Sequence, residues 1–309
     1  MKRNKNRVSG YLYAIGATAI WSGNFIIARG LSDTIPPVSL AFWRWVVAVL
    51  VFLPFASKSL IAERKILKDH LPYLCVTALL GITVFNTLIY FAGHTTTAIN
   101  LSLISITFPV FIVVLSRFVF KELITVNKAV GIILVAIGIL FLISNGKFSD
   151  LLNISFAIGD LWMLLAAITF AVYSILLKRK PVALSVWTLQ LSTFLLGLLF
   201  LSPFYLWENS SSTSFEINSN VILSILYVGI FASLIAFVLW SKAIETIGPT
   251  KSGMVYYTLP LFSMILANLF LGEGVTGVHF FSASLIVSGI LTANYERKTS
   301  CKVPRGNSD

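Results

Sequence analysis

The sequence is poor in the residues from which most enzymes and most secreted proteins build their chemistry. Only 11% of its 309 residues are charged, and it has two cysteines and three histidines. Cys75 lies in an apolar run and Cys301 lies near the end of the chain, so neither a disulfide framework nor a zinc knuckle is indicated. Motifs typical of metalloproteases, serine hydrolases and P-loop ATPases are absent from the sequence. We therefore expect neither an enzyme nor a bound metal or cofactor.

Apolar residues, in contrast, are in large excess. Hydrophobic residues make up 57% of the chain, and the mean hydropathy is +0.89. A soluble globule of this length could not bury so much apolar surface. We therefore predict an all-α integral membrane protein whose environment is the lipid bilayer. Ten apolar runs have the length of about 17 to 25 residues that a spanning helix needs. They are 10–30, 38–56, 71–93, 97–117, 127–144, 158–177, 184–206, 221–241, 252–271 and 277–295.

Basic residues cluster at every second connection between these runs. All but Arg29, Arg44 and Lys147 of the 23 Lys and Arg residues lie in the two tails or after spans two, four, six and eight. Because cytoplasmic loops are enriched in Lys and Arg, this bias predicts a multi-pass protein of the cell (inner) membrane with both termini in the cytoplasm. It also accounts for the net charge of +11 without a nucleic-acid partner.

The sequence contains an internal repeat. A shift of 151 residues lays Thr107, Pro109, Glu122 and other residues of the first half on identical residues of the second half, including Pro260 and Glu273. Each repeat holds five predicted spans, an odd number, so the second copy is expected to cross the membrane in the opposite sense. The prediction is two inverted five-helix repeats, 10–144 and 158–295, with cytoplasmic tails 1–9 and 296–309.

Several short motifs resemble those of a known family. They include Trp21-Ser-Gly-Asn-Phe, Phe42-Trp43-Arg44 and Lys121-Glu122-Leu123 in the first copy, and Pro260-Leu261-Phe262 and Leu271-Gly272-Glu273 in the second. In order and duplication they resemble the EamA-like exporters of the drug/metabolite transporter superfamily, from Gly10 to about residue 295. The resemblance implies a basket of ten helices around a central cavity that works by alternating access. The cavity would be lined mainly by spans 1, 3, 4, 6, 8 and 9.

Two prolines and one arginine are candidates for gating and charge recognition. Pro109 and Pro260 fall where inverted repeats would meet near the bilayer midplane, so each could interrupt a helix and act as a hinge. A kink used only for packing is the alternative. Arg44 lies within span two, where a guanidinium is a functional candidate that would attract a carboxylate or phosphate. Alternatively it extends outward along the helix and anchors its span, and this interpretation is favoured for Arg29.

Polar and aromatic side chains in the spans are the candidates for substrate binding. Amides in hydrocarbon are costly unless they are paired, so they must face protein or water. Contacts that only hold helices together would satisfy them equally well. The candidates are Trp21, Ser22, Asn24, Asn86, Tyr90, Asn100, Ser105, Tyr173, Trp240, Tyr256 and Tyr257.

Small residues predict one close helix contact. Gly131 and Gly138 lie seven residues apart on one face of span five and align with Ser282 and Gly289 of span ten. Small residues let two helices in a membrane approach closely. We therefore expect a structural seam between spans five and ten.

The pattern favours a secondary transporter that exports amino acids or similar small metabolites. Uptake or exchange of a nucleotide-like or other anionic metabolite is the alternative, and an Arg44 that faces the cavity would favour it. A membrane enzyme is disfavoured because the histidines are isolated, and a receptor because no soluble domain is evident. A small-molecule substrate is expected, and a homodimer is compatible with the sequence.

Overall fold

The computed structural model describes residues 2–95, 101, 104–105, 107–144, 158–211, 218–259, 261–263, 265–266 and 277–294. Within these ranges every regular element is helical, and no peptide bond is cis. The elements of the first half are α1 Lys2–Gly30, α2 Pro37–Ala62, α3 Arg64–Asp69, α4 Leu71–Ala78, a π-helical segment Leu79–Val84, α5 Phe85–Thr95, α6 Phe108–Phe120 and α7 Val126–Ile143. Those of the second half are α8 Ile158–Lys178, α9 Val186–Ser211, α10 Ser219–Leu226, a second π-helical segment Tyr227–Ile235, α11 Ala236–Ile247, α12 Pro249–Tyr256 and α13 Gly277–Asn294.

Six helices of the described chain are long and apolar enough to cross a membrane. By length and composition they are Arg7–Gly30, Pro37–Ala62, Leu71–Thr95, Ile158–Lys178, Val186–Ser211 and Ser219–Ile247. They coincide with predicted spans one, two, three, six, seven and eight. The remaining predicted spans correspond to shorter apolar helices or include residues outside the described ranges, so the total of ten stays a prediction.

The long helices α2 and α9 pack antiparallel and cap each other. Glu208, near the end of α9, accepts hydrogen bonds from the backbone nitrogens of Val38 (3.1 Å) and Ser39 (2.7 Å) in the first turn of α2. Glu63, directly after α2, accepts one from the backbone nitrogen of Ser185, just before α9, at 2.9 Å. Each carboxylate thus satisfies amide groups that have no partner within their own helix. The end of each helix therefore lies beside the start of the other.

Helices α7 and α13 meet in a close-packed seam. A methyl group added at Gly131 would lie 2.6 Å from the backbone oxygen of Gly289, and one at Gly289 would lie 2.7 Å from that of Gly131. Ala293 packs on the same side of Gly131, and Val135 packs against Gly289. Only small residues allow backbones to approach this closely. The predicted seam of spans five and ten is confirmed.

The two π-helical segments were not predicted. They interrupt the third and eighth of the predicted spans and contain Gly81 and Gly229, respectively. Gly81 lies against the Tyr173 ring, and a methyl group at Gly229 would meet Val47 at 2.6 Å and the backbone oxygen of Arg44 at 3.0 Å. A π turn leaves backbone carbonyls without their usual partners, and such turns frequently occur at functional sites. The side chains around both segments are therefore candidates for a functional site.

Pro109 lies at the start of a helix rather than inside one. Helix α6 begins at Phe108, and Thr107 precedes it as the N-cap residue. In the first turn the missing N–H of proline costs nothing, because that position has no intrahelical acceptor. Pro109 therefore lies in the first turn of α6 and not inside a continuous helix, and its role as a hinge stays a prediction. Pro260 lies outside the described residues.

Candidate functional site

Arg44 is the centre of a buried polar cluster built by four elements. Its Nε donates to Ser233 Oγ at 2.6 Å, and its Nη1 donates to the Tyr90 hydroxyl at 2.6 Å. Asn24 Oδ1 lies 3.5 Å from the same Nη1 and accepts from the Tyr90 hydroxyl at 3.4 Å. These residues come from α2, the second π-helical segment, α5 and α1. We call Arg44, Asn24, Tyr90 and Ser233 the Arg44 cluster.

The Arg44 cluster carries a positive charge among neutral partners. Arg44 is 0% exposed, so it does not extend to the surface, whereas Arg29 is exposed at the end of α1. The Trp45 and Tyr90 rings lie 5.3 and 5.5 Å from the Arg44 guanidinium. In the part of the chain that the structure describes, Arg44 has no acidic partner, and its Nη2 makes no hydrogen bond. A buried guanidinium of this kind can hold a carboxylate or phosphate.

An aromatic layer lies beside the Arg44 cluster. The Trp21 ring lies 5.3 Å from Phe170, 5.7 Å from Phe237 and 5.4 Å from Trp240, measured between centroids. The Trp21 indole nitrogen donates to the backbone oxygen of Ala232 at 2.9 Å, which ties α1 to the second π-helical segment. The complete aromatic layer comprises Trp21, Phe85, Phe108, Phe170, Phe237, Trp240 and Tyr256.

A second polar cluster lies on the other side of this layer. The Gln190 side-chain nitrogen donates to Ser241 Oγ and reaches the backbone oxygen of Phe237 at 3.5 Å. The Tyr173 hydroxyl faces the same two side chains, Gln190 and Ser241, but makes no hydrogen bond among the described residues. We call Gln190, Ser241 and Tyr173 the Gln190 cluster. Next to it, Trp240 Nε1 donates to Ser174 Oγ at 3.1 Å.

Sequence reasoning did not single out Ser233, Gln190, Ser241 or Ser174. The sequence does contain one pattern that points to two of them: Ser233, Phe237 and Ser241 follow one another at intervals of four residues. Residues at this spacing share one face of a helix. That face runs from the Arg44 cluster through the aromatic layer to the Gln190 cluster.

Two predicted binding residues satisfy the backbone instead. The Asn86 amide donates to the carbonyl oxygens of Gly81 (3.2 Å) and Ile82 (3.3 Å), which belong to the first π-helical segment. Ser22 donates to the carbonyl oxygen of Ala19 in its own helix at 2.7 Å. Both side chains are buried. In this structure Asn86 stabilises the π turn, and its amide oxygen is the part that is left for other contacts.

The remaining predicted residues are only partly brought together. Ser105 is buried and hydrogen-bonds with the Tyr256 hydroxyl, next to the aromatic layer. Tyr257 packs in a separate hydrophobic cluster with Met254 and other side chains, among them residues of α6, α7 and α13. Asn100 lies outside the described residues.

Comparison with known proteins decides the family. A sequence model described as the EamA-like transporter family matches the chain twice, at residues 8–144 and 157–295. The chain belongs to the EamA-like transporter family. Within the described ranges of this EamA-like transporter, no group of three or more His, Cys, Asp or Glu residues could hold a metal ion.

The relatives of this EamA-like transporter are named as transporters, not enzymes. The uncharacterized transporter YyaM of Bacillus subtilis is 24% identical over 292 residues, covering 92% of this chain and 93% of the relative. YetK of the same organism is 26% identical over 301 residues, covering 95% and 89%. An uncharacterized transporter of Archaeoglobus fulgidus is 29% identical over 276 residues, covering 88% and 91%. Their names give no substrate.

A solved structure shares the fold. It is described only as a crystal structure of a protein, and it superposes on this EamA-like transporter with a TM-score of 0.75 at 19% identity. The superposition covers 93% of this chain and 96% of the other. Together with the six long apolar helices, these comparisons establish a multi-pass membrane transporter that is not an enzyme.

Proposed function

We propose that this protein is a secondary transporter of the cell membrane that exports amino acids or similar small metabolites by alternating access. The observation that carries the proposal is the Arg44 cluster, a buried positive charge with neutral partners at the meeting point of four elements. A charge buried in a membrane protein is costly, and such residues typically belong to a substrate or ion path. The carboxylate of an amino acid is complementary to the free edge of the Arg44 guanidinium.

Several features support an inverted repeat. The family model matches each half of the chain once. Helices α2 and α9 begin 149 residues apart and run antiparallel, and a Glu near the end of each caps the start of the other. Helices α7 and α13 also pack antiparallel, in the close seam. Inverted repeats whose irregular helices meet around a central site are typical of secondary transporters. The distribution of Lys and Arg then favours a cytoplasmic location for both termini, and hence for the end of the bundle where α1 begins.

The aromatic layer is the barrier in this proposal. Trp21, Phe85 and Phe108 belong to the first half of the chain, and Phe170, Phe237, Trp240 and Tyr256 belong to the second. A small rotation of one half against the other would therefore separate the rings that now touch. The two π-helical segments, with their weakened helical hydrogen bonding, are suitable places for such a motion to be absorbed.

Uptake or exchange of a nucleotide-like or other anionic metabolite is the second candidate. It is favoured by one observation, the charge of Arg44 without an acidic partner among the described residues. Arginine binds phosphate as well as carboxylate, in both cases with two parallel hydrogen bonds. The two candidates differ in whether the substrate also carries an amine.

Counterflow into liposomes tests the proposal. Purified protein would be reconstituted with unlabelled amino acids inside and a mixture of radiolabelled L-amino acids outside. We expect label to accumulate with the wild type, and Arg44→Lys to lower the initial rate about tenfold or more, since Lys cannot reproduce the planar fork. Tyr257→Phe is the control, because Tyr257 packs away from both polar clusters. No accumulation with the wild type would refute amino-acid transport. Accumulation of a labelled nucleotide in liposomes that are loaded with unlabelled nucleotide instead would favour the second candidate.

A further inference from the structure

The Gln190 cluster contains a buried acceptor that nothing in the described chain satisfies. Gln190 is 0% exposed, and while its side-chain nitrogen donates to Ser241 and to the Phe237 carbonyl, its Oε1 makes no hydrogen bond. Leaving a buried acceptor without a partner is costly, because the group gives up its hydrogen bonds to water and gains none in return. Native proteins rarely keep such a group, so each one calls for an explanation.

The unmatched groups around the aromatic layer are of opposite kinds. On α2, both Arg44 Nη2 and the Trp45 indole nitrogen are donors without an acceptor among the described residues. On α9, Gln190 Oε1 is an acceptor without a donor, and on α8 the neighbouring Tyr173 hydroxyl, which can both donate and accept, also makes no hydrogen bond among the described residues. The Trp45 ring lies 5.2 Å from Phe237, whose carbonyl oxygen Gln190 contacts. Donors thus lie on one helix of the antiparallel pair and an acceptor lies on the other.

The two polar clusters are separated along the bundle. Ser233, in the Arg44 cluster, and Ser241, in the Gln190 cluster, are eight residues apart on one continuous helical segment, which is about 12 Å at 1.5 Å per residue. Phe237 lies midway between them, and its ring contacts Trp21, Trp45, Phe170, Tyr173 and Phe194. An α-amino acid, whose charged groups are a few ångströms apart, could not contact both clusters at once.

We propose that the Gln190 cluster is a second substrate subsite, which accepts a hydrogen bond from an amine or amide donor of the substrate on the side of Phe237 opposite to Arg44. This inference rests on the proposed function and assigns successive positions to the substrate. At one position Arg44 holds the anionic group, and at the other Gln190 Oε1 and the Tyr173 hydroxyl receive the N–H donor. Phe237 and the rings around it separate the two positions. By the proposed orientation the Gln190 cluster is the one nearer the cytoplasm.

The subsite predicts selectivity for substrates that carry an amine. In the same counterflow assay, the radiolabelled L-amino acid mixture would compete with unlabelled L-phenylalanine or 3-phenylpropionate, and with L-leucine or 4-methylpentanoate. The members of each pair share the carboxylate and the apolar group and differ in the amine. We expect the wild type to be inhibited about tenfold more strongly by the amine-bearing member, as loss of one hydrogen bond worth about 1.4 kcal/mol would give.

Variants of Gln190 separate the subsite from a packing role. Gln190→Leu removes the acceptor and is expected to abolish the preference within each pair, and Gln190→Glu keeps an acceptor and is expected to retain it. Ser192→Ala is the matched control on α9, because among the described residues the Ser192 hydroxyl bonds only to the Leu189 carbonyl of its own helix. Gel filtration would establish that each variant is folded. A Gln190→Leu protein that keeps the preference, or a Gln190→Glu protein that loses it while remaining folded and active, overturns the subsite.

The same counterflow measurements separate the Gln190 subsite from transport itself. If the wild type shows no counterflow with any amino acid, the proposed function fails, and the subsite fails with it. If the wild type shows counterflow but both members of each pair inhibit it equally, the proposed function stands and the Gln190 subsite alone is refuted. If Gln190→Leu is misfolded, Gln190→Glu and the wild type still decide the outcome, because the preference must be present in both.

Discussion

Replacement of Arg44 by Met separates a functional from a structural role for the buried charge. Met is unbranched and apolar, so it fills most of the space of the Arg side chain without its charge. The substitution removes two short hydrogen bonds, to Ser233 and to Tyr90, each of 2.6 Å. The third contact, to Asn24 at 3.5 Å, is at the limit of hydrogen bonding and contributes little.

The expected change in the free energy of unfolding is small. Two hydrogen bonds to a charged group contribute roughly 3 to 6 kcal/mol together, and taking the guanidinium out of water costs several kcal/mol. The partners are not stranded in the variant, since Ser233 still donates to the Val228 carbonyl at 2.7 Å and Tyr90 still donates to Asn24. We therefore expect Arg44→Met to lie within about 2 kcal/mol of the wild type, in keeping with other replacements of buried ions by apolar groups.

The assay combines stability with flux on the same preparation. Unfolding of the purified protein in mixed micelles would be followed by tryptophan fluorescence, and initial counterflow rates would be measured per reconstituted molecule. We expect near-normal stability with transport lowered at least tenfold. A variant that is clearly less stable than the wild type but transports normally would show that Arg44 serves only the fold.

Three further substitutions test the helix contacts, and a fourth serves as a control. Glu208 accepts hydrogen bonds from two backbone nitrogens and Glu63 accepts one. Glu208→Ala should therefore lower the free energy of unfolding by about 1 to 2 kcal/mol, and Glu63→Ala should lower it by about half as much. Equal losses in denaturant titrations would contradict the capping geometry. Gly131→Ala should cost about 1 to 3 kcal/mol, because the new methyl group would meet the Gly289 backbone. Gly277→Ala, with nothing within 4 Å, is its control, and similar midpoints for the two variants would exclude the close seam.

The long helices could be predicted because their signal is local. An uninterrupted apolar run of sufficient length specifies a spanning helix whatever it packs against, and this holds for α2 and α9. The π-helical segments depend instead on distant contacts. Gly81 accommodates the Tyr173 ring and Gly229 accommodates Val47, and no pattern near either glycine in the sequence specifies those partners.

The candidate site could be predicted only in part, for a similar reason. An arginine or an amide in an apolar run is conspicuous, because it needs a partner, and so Arg44 and Asn24 were identified. Ser233 was not, because serine in a helix can satisfy itself on its own backbone. Tyr256 and Tyr257 looked equivalent in sequence, but successive helical residues point about 100° apart, and only Tyr256 faces the aromatic layer.

In the proposed function a substrate with an anionic group leaves the cell past Arg44. The most direct test compares the metabolites excreted by cells that lack the protein with those of cells producing either the wild type or Arg44→Met at equal membrane levels. We expect a small carboxylate-bearing metabolite to accumulate in the medium only with the wild type. The same excreted metabolites in all three cultures, or equal export by the wild type and Arg44→Met, would contradict it.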